Sequence, residues 1–224
     1  MTIVRLPKVY TTSGDFAGQY RWCLNRVAEL LAPHGLGLDS LVLTTDFTTT
    51  ATRADYPRCG RPRRELLSAP YPGAAGILVD TPAAPGSLVS LEAVAASGVK
   101  EPVNPGWARY DTLTYLPGIK AGDRLFMAGF GALDPVTQAA VHDGDLLAQA
   151  EFIYDNISLV VAAAGGSDGD VVSLVEYYVP GADPQLVRPL REARFPRAVV
   201  ELRPCDALLR PEFLLEVVPE AILR

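Results

Sequence analysis

Two segments of this 224-residue chain repeat one another, and the repeat constrains the fold more than any other feature of the sequence. Residues 14–19 read Gly-Asp-Phe-Ala-Gly-Gln, and residues 144–149 read Gly-Asp-Leu-Leu-Ala-Gln. The match continues at a constant offset through a series of apolar positions to Gly35 and Gly165, and then into the start of an apolar run. A constant offset over a helix, a turn and the start of a strand indicates two copies of one α+β unit.

The length of the chain fits two units of about 100 residues each. We place the first copy at residues 1–97, a turn-rich linker at 98–106 and the second copy at 107–224. The second copy has an opening hairpin, predicted at residues 112–116 and 124–128. Few residues precede the first helix of the first copy, so this copy must lack most of that hairpin and is the degenerate one.

Each copy is predicted to run through a helix, a strand, a second helix and a closing hairpin. Asp15 and Asp145 should cap the first helices, because a carboxylate accepts hydrogen bonds from the free N–H groups of a first helical turn. The strands are predicted at residues 41–45 and 171–178, and the second helices at residues 63–68 and 185–192. The closing hairpins are predicted to pair residues 76–79 with 88–94 and residues 198–202 with 213–218.

Charge and hydropathy exclude two classes of partner. A net charge of −6 and an isoelectric point near 5.0 argue against nucleic acid. The basic residues Arg58, Arg61, Arg63 and Arg64 lie among acidic neighbours and are interpreted as a solvated helix face. No window approaches the roughly 18 consecutive apolar residues that span a bilayer, so we expect no membrane partner.

The residues that usually bind metals are few and scattered. Cys23, Cys59 and Cys205 have no metal-ligand spacing and are interpreted as reduced thiols of a cytoplasmic protein. The only histidines are His34 and His142, which makes a histidine metal site or a Ser-His-Asp triad a poor fit. We therefore expect neither a metal ion nor a cofactor.

Four motifs follow one another in the second copy. They are residues 122–129 (GDRLFMAG), 133–137 (LDPVT), 144–156 (Gly-Asp, then Gln149 and Asn156) and 195–201 (FPRAVVE). Their order resembles the Rid family (YjgF/YER057c/UK114), whose members include imine and enamine deaminases. The resemblance covers nearly all of residues 107–219, and more loosely residues 14–95. It implies two chorismate-mutase-like α+β units, each a mixed β-sheet with two helices packed on one face.

The resemblance points first to Arg197, since the arginine after that proline binds the substrate carboxylate in this family. A guanidinium presents paired N–H donors in a rigid fork that matches a carboxylate. A structural ion pair with Glu201 or with another nearby carboxylate is the alternative role. Gly76 aligns with Arg197 in the first copy, so that copy is expected to act as a scaffold.

Four further positions are placed beside the substrate by the same resemblance: Tyr110, Ala128, Gly129 and Val199. Ala128 and Val199 stand where the family usually has a serine and a cysteine, which departs from the deaminase pattern. Tyr115 competes with Tyr110 for the aromatic position.

Two glutamates compete for the role of holding the attacking water. If Glu216 matches the later glutamate of the family's last strand, the water-holding position is Leu214. An alignment without a gap supplies Glu212 instead. Glu212 and Glu216 therefore both remain candidates for positioning water or transferring a proton.

Three functions fit these residues. The first is a hydrolase or deaminase of a small carboxylate-bearing imine or enamine, including an enzyme specialised for a biosynthetic pathway. The second is similar to the chorismatases, which join two Rid-like units in one chain and hydrolyse an enolpyruvyl ether with arginine and glutamate. The third is a non-catalytic protein that binds a small carboxylate or acts as a scaffold. Family members assemble as trimers, so the resemblance implies a homotrimer formed through the second copies.

Overall fold

The computed structural model describes residues 1–224, which form two mixed β-sheets and four α-helices. The helices are α1 (Phe16–Leu31), α2 (Gly60–Leu66), α3 (Leu146–Ala163) and α4 (Pro184–Arg194). The strands of the first half are β1 (Ile3–Tyr10), β2 (Leu41–Thr48), β3 (Gly73–Leu78), β4 (Val89–Ala96) and β5 (Lys100–Val103). The remaining strands are β6 (Gly118–Ala121), β7 (Arg124–Met127), β8 (Val171–Tyr178), β9 (Val199–Pro204), β10 (Ala207–Leu208) and β11 (Leu215–Ile222).

The two sheets repeat the same central arrangement. The first has the order β1-β4-β2-β3-β10 and the second the order β5-β6-β7-β11-β8-β9. In the first, α1 packs on β1 and β4, and α2 packs against α1. In the second, α3 packs on β11, and α4 packs against α3. The α+β prediction of two Rid-like units, each with two helices on one face of a mixed sheet, is confirmed.

Local chemistry sets the helix ends as predicted. Asp15 Oδ1 accepts a hydrogen bond from the N–H of Gly18 at 2.8 Å, and Asp145 Oδ1 accepts one from Ala148 at 3.0 Å. The helix α2 begins three residues earlier than predicted, at Gly60. Pro62 is tolerated there because the N–H groups of a first helical turn have no partner within the helix.

The predicted closing hairpins are wrong. The strands β3 and β4 do not pair with each other but lie on opposite sides of β2, β3 parallel and β4 antiparallel to it. In the second unit, β9 and β11 flank β8 in the same way. The reason is the crossover through the second helix, which returns the chain to the same end of the sheet and so makes the next strand parallel.

Two predictions around the join between the copies are also corrected. Residues 100–103, predicted as part of the linker, form β5 and pair antiparallel with β6. The second strand of the opening hairpin is β7, as predicted at residues 124–128, but the first strand is β6 rather than residues 112–116. Its two-residue turn starts at Gly122, whose φ of +58° is a conformation that glycine adopts without strain.

The sheet faces turned away from the helices meet each other. Phe47 and Tyr177 make an edge-on aromatic contact across the junction, with ring centroids 6.3 Å apart. Glu220 on β11 accepts hydrogen bonds from Arg5 of the first sheet and Arg124 of the second. A cluster of 35 buried apolar residues runs through both units, and a second cluster of 15 lies between α1 and the first sheet.

One helix, α3, is long and apolar enough to cross a membrane by length and composition. Half of its 18 residues are buried within the protein, where they pack on the second sheet. The apolar side chains of α3 are therefore part of the protein core.

Each unit buries one arginine beside a carboxylate of its central strand. In the second unit, Arg191 Nη1 donates to Glu176 Oε2 at 2.8 Å, and both side chains are buried. Tyr154 and Tyr178 also donate to this carboxylate, at 2.7 and 2.6 Å. Glu176 therefore has no contact with water and depends on these three donors.

We predict that Arg191→Met lowers the free energy of unfolding by about 3 kcal/mol, because it leaves a buried carboxylate without its counter-charge. Arg188 on the same helix makes an exposed ion pair with Glu192 and is the matched control. Arg188→Met should change stability by less than about 0.5 kcal/mol. Urea unfolding of the three proteins measures both effects, and equal losses would contradict the buried-pair account.

Candidate functional site

A cavity of about 400 Å³ lies where the two units meet. The first unit lines it with Asp46, Tyr56, Arg63 and Gly76, among others. The second unit lines it with parts of residues 107–115, 129–131 and 209–216. Both units are therefore needed to enclose it.

The cavity is enclosed because the second unit covers the free edge of β3. Ala207 and Leu208 pair antiparallel with Leu78 and Ile77. The N–H of Gly129 donates to the carbonyl of Ala74 at 3.0 Å. These backbone bonds hold the residues around Gly129 and the segment after β10 against the first sheet.

Glu216 on β11 is the most perturbed acid in the cavity. Its side chain is buried, and burial raises the pKa of its carboxyl to about 8. Oε1 faces the N–H of Gly76 at 3.4 Å, the one hydrogen bond that this carboxyl receives. Most of the carboxyl is therefore protonated at neutral pH, and it can act as an acid.

Two glycines leave space for the side chains that form this wall of the cavity. A Cβ at Gly129 would lie 2.2 Å from Oε1 of Glu216, which is closer than atoms can approach. A Cβ at Gly76 would lie 2.7 Å from the hydroxyl oxygen of Tyr56 and 2.5 Å from Leu209 Cδ1. Glycine is therefore required at both positions for this wall to close as it does.

Asp46 is a second buried acid in the cavity wall. Tyr20 and Tyr56 each donate a hydroxyl hydrogen bond to its Oδ2, both at 2.9 Å. Its Oδ1 is buried without any hydrogen-bond partner. Burial raises the pKa of Asp46, while the nearby Arg63 cation and the two tyrosine hydroxyls oppose that rise.

Arg63 joins the two walls. Its Nη1 donates to the Tyr20 hydroxyl and to Thr44 Oγ1, each at 2.9 Å. Its Nε and Nη2 both donate to the carbonyl of Thr114, at 3.2 and 2.9 Å. Every nitrogen of the guanidinium therefore has a partner, and the side chain fixes the segment around Thr114 over the cavity.

Aromatic side chains of that segment form one side of the cavity. Trp107 stacks on Tyr110 with ring centroids 5.9 Å apart, and Tyr110 meets Tyr115 edge-on at 5.5 Å. Arg109 Nη2 donates to the Tyr115 hydroxyl at 3.3 Å, whereas its Nε is buried without a partner. This side therefore offers an apolar surface with one free N–H donor.

Charge in the cavity favours an anion. Four arginines line it: Arg63, Arg64, Arg109 and Arg210. Its only acids are Asp46 and Glu216, and Glu216 is largely protonated at neutral pH. The lining is therefore positive overall, which raises the local concentration of small anions.

The predicted site residues fall into two groups. Tyr110, Gly129 and Glu216 line the cavity, and Ala128 lies buried next to Gly129. Glu212 does not line it, and its carbonyl accepts a hydrogen bond from Gln149 at 2.8 Å. Of the two competing glutamates, Glu216 is the one whose carboxyl faces the cavity.

Arg197 and Val199 lie elsewhere. Arg197 is exposed in the turn before β9, and its Nη1 donates to the carbonyl of Gly169 at 3.0 Å. Val199 is 76% exposed on the edge strand β9. The alternative ion pair with Glu201 does not form either, because Glu201 accepts from Arg203. The structure does not bring Arg197 to the cavity.

Strand register corrects the match between Gly76 and Arg197. Gly73 pairs with Leu43 in the first unit, and Val199 pairs with Ser173 at the same place in the second. Gly73 is therefore the counterpart of Val199. Counting back two residues in each unit makes Tyr71 the counterpart of Arg197.

The same register shows that the acid of the cavity is not duplicated. Glu216 pairs with Tyr177 in the second unit, and Ser90 pairs with Phe47 at the same place in the first. Ser90 is thus the counterpart of Glu216. The first unit contributes a wall to the cavity but no second copy of its acid.

Sequence reasoning missed Asp46 and Arg63. Arg63 was assigned to a solvated helix face because it lies in a basic cluster, yet its side chain is buried. A usable signal was present in β2, where Asp46 interrupts a run of apolar and threonine residues. A single carboxylate in a strand covered on both faces needs a buried cationic or hydroxyl partner. No group of three or more His, Cys, Asp or Glu side chains is placed to hold a metal ion.

The chain is similar to known proteins over one or both units. It is 40% identical over 63 residues to the RutC family protein PH0854 of Pyrococcus horikoshii, a match that covers 28% of this chain and about half (49%) of that relative. A crystal structure of a chorismatase superposes with a TM-score of 0.72 at 20% identity, covering 96% of this chain and 73% of the other. An L-PSP protein of Entamoeba histolytica superposes with a TM-score of 0.50 at 20% identity, covering 56% of this chain and all of the other. No family model matches the chain.

We predict that Glu216 makes stability fall as pH rises. The folded protein retains the proton up to a pKa of about 8, whereas the unfolded chain releases it near 4.5. The free energy of unfolding therefore loses a contribution on the order of 5 kcal/mol between these values. Glu216→Gln cannot lose this proton, so it should gain stability relative to wild type as pH rises from about 4 to about 9.

Urea unfolding across this pH range measures the effect. Glu101→Gln, on the exposed part of β5, is the control and should follow wild type. A Glu216→Gln curve parallel to the wild-type curve would show that the carboxyl titrates normally in the folded protein.

Proposed function

We propose that the chain is a two-unit member of the Rid family and that it is a hydrolase or deaminase of a small carboxylate-bearing imine or enamine. The reaction takes place in the cavity between its units. The observation that carries this proposal is Glu216, a protonated carboxyl in a cavity lined by four arginines. A raised pKa matches a group to proton transfer near neutral pH.

Glu216 acts first as an acid. Its proton passes to the β-carbon of an enamine, or to the nitrogen of an imine, and leaves an iminium cation. The Glu216 carboxylate then takes a proton from water while the water oxygen bonds to the iminium carbon. The hydroxyl proton of this adduct passes to its nitrogen as the carbon–nitrogen bond breaks, so ammonia leaves and a ketone remains, with one water consumed.

Arg109 is our candidate for the carboxylate anchor. Its buried Nε has no partner within the protein, and an arginine fork suits a carboxylate. Arg210, further along the lining, adds positive charge. This arrangement replaces Arg197, which the family resemblance favours but which lies on the surface.

A second candidate is hydrolysis of an enolpyruvyl ether. The similarity to a chorismatase extends over 96% of the chain and therefore over both units. The same acid step applies: Glu216 protonates the terminal carbon of the ether, water adds to the resulting oxocarbenium carbon, and the adduct releases pyruvate and an alcohol. Substrate identity separates the two candidates.

We predict that the wild-type protein accelerates hydrolysis of imines generated in situ by an amino-acid oxidase, measured as loss of the semicarbazide-trapped product. Glu216→Gln should lower kcat by about 10²-fold or more, because it removes the transferable proton. Arg109→Ala should raise KM. Arg197→Ala is the control and should retain both constants. Release of pyruvate from chorismate is assayed in parallel.

The outcomes divide the hypotheses. Turnover of chorismate but not of imines selects the second candidate. Activity that survives Glu216→Gln and fails in Arg197→Ala moves the site to the surface near β9. Binding of carboxylates without turnover of either substrate class selects the non-catalytic role.

We also propose that the chain forms a homotrimer through its second units and works in the cytoplasm. The β10 strand covers the edge of β3, whereas the outer edge of β9 has no partner strand. An open strand edge is a common place for another chain to pair. The three cysteines are free and buried, as suits a reducing compartment.

Light scattering after size-exclusion chromatography tests the assembly. We expect Val199→Lys, on β9, to shift the protein towards the monomer. Val136→Lys is the control because Val136 is equally solvent-exposed but lies in a loop away from β9. A monomeric wild-type protein would refute the proposed trimer.

A further inference from the structure

Asp46, a residue of the cavity wall, has one carboxylate oxygen that no donor of the protein satisfies. The residue is fully buried at the middle of β2 and lines the cavity wall. Its Oδ1 is buried and has no hydrogen-bond partner. An unpaired buried carboxylate oxygen is costly, so a donor from outside the protein fits this position.

The hydrogen bonds around Asp46 fix which kind of partner is missing. Arg63 Nη1 can only donate, so the Tyr20 hydroxyl accepts from it and gives its own proton to Asp46 Oδ2. Tyr56 donates to the same oxygen. Burial raises the pKa of Asp46, and the two donors on Oδ2 and the nearby Arg63 cation oppose that rise. With both hydroxyl donors on Oδ2, Oδ1 is the oxygen left free to accept a hydrogen bond.

The position of Asp46 relates it to the proposed acid. Asp46 lies beside Gly76 in the paired strands β2 and β3, and the N–H of Gly76 meets Oε1 of Glu216. The two carboxyl groups therefore lie on either side of the same backbone segment. A ligand in contact with one can reach the other.

We propose that Asp46 is a specificity-determining residue that accepts a hydrogen bond from a hydroxyl group of the substrate. The substrate class is then a small hydroxylated carboxylic acid, with its carboxylate at the arginines and its hydroxyl at Asp46. A hydroxyl fits better than an ammonium group, because the four arginines of the lining disfavour a cationic ligand. The inference rests on the proposed function, since it takes the cavity as the site of an anionic substrate.

Binding measurements test this without a known substrate. The probes are isosteric acids with and without a hydroxyl: benzoate against its three monohydroxy isomers, and succinate against malate. Isothermal titration should show the best hydroxylated acid binding the wild-type protein about 10- to 100-fold more tightly than its parent, as expected for a hydrogen bond to a charged group.

Asp46→Asn is the matched variant. The amide keeps the shape of the side chain, and its oxygen can still accept from Tyr20 and Tyr56, which leaves the NH₂ group facing the cavity. The preference for the hydroxyl should then fall by about tenfold or more, because the charged acceptor is lost. Binding of the unhydroxylated parents should stay close to wild type, which also shows that the variant is folded.

Each outcome decides the inference. Equal binding of parent and hydroxylated acids by the wild-type protein would mean that water satisfies Oδ1 and would overturn the proposal while leaving the proposed function intact. A preference that survives in Asp46→Asn would overturn it as well. If none of the acids binds, the cavity does not take an anionic ligand, and both the proposed function and this inference are refuted.

Discussion

The covered edge of β3 is the constraint on which the rest of the site depends. The second unit supplies this cover through β10 and the backbone of Gly129, so the two sheets share hydrogen bonds as well as a core. Without that pairing, the first sheet would expose unpaired N–H and C=O groups, and Glu216 would face solvent. Desolvation of the acid, and hence its raised pKa, follows from a backbone contact rather than from a charged neighbour.

Both units bury a carboxylate of the central strand with an arginine and tyrosines, but the two sites use these groups differently. Around Glu176 both carboxylate oxygens have donors, so the network is closed and serves stability. Around Asp46 only one oxygen has donors, and the arginine extends across to the carbonyl of Thr114. The network of the first unit is therefore incomplete at Oδ1 of Asp46, a residue that lines the cavity.

The parts of the fold that local chemistry determines could be predicted from the sequence. The caps at Asp15 and Asp145 are examples, and the motif order led to the correct α+β units. Strand pairing could not be predicted because the direction of β3 depends on the path of the crossover. Of the candidate site residues, Glu216 and Tyr110 line the cavity. Arg63 was not among the candidates because it lies in a basic cluster of the sequence. Arg197 does not line the cavity. The motif around it belongs to the second copy, and a motif in one copy does not show which of its residues will face the other copy.

Glu216 and Ser90 occupy equivalent positions in the two units, and this difference between the units has a consequence for how the site can evolve. In an assembly of identical subunits, a single substitution appears on both sides of every cleft, so an advantage on one side can be cancelled on the other. Here the two sides are encoded by different codons of one gene. Each wall can acquire new contacts independently, and a narrow substrate preference can evolve without disturbing the acid that faces it.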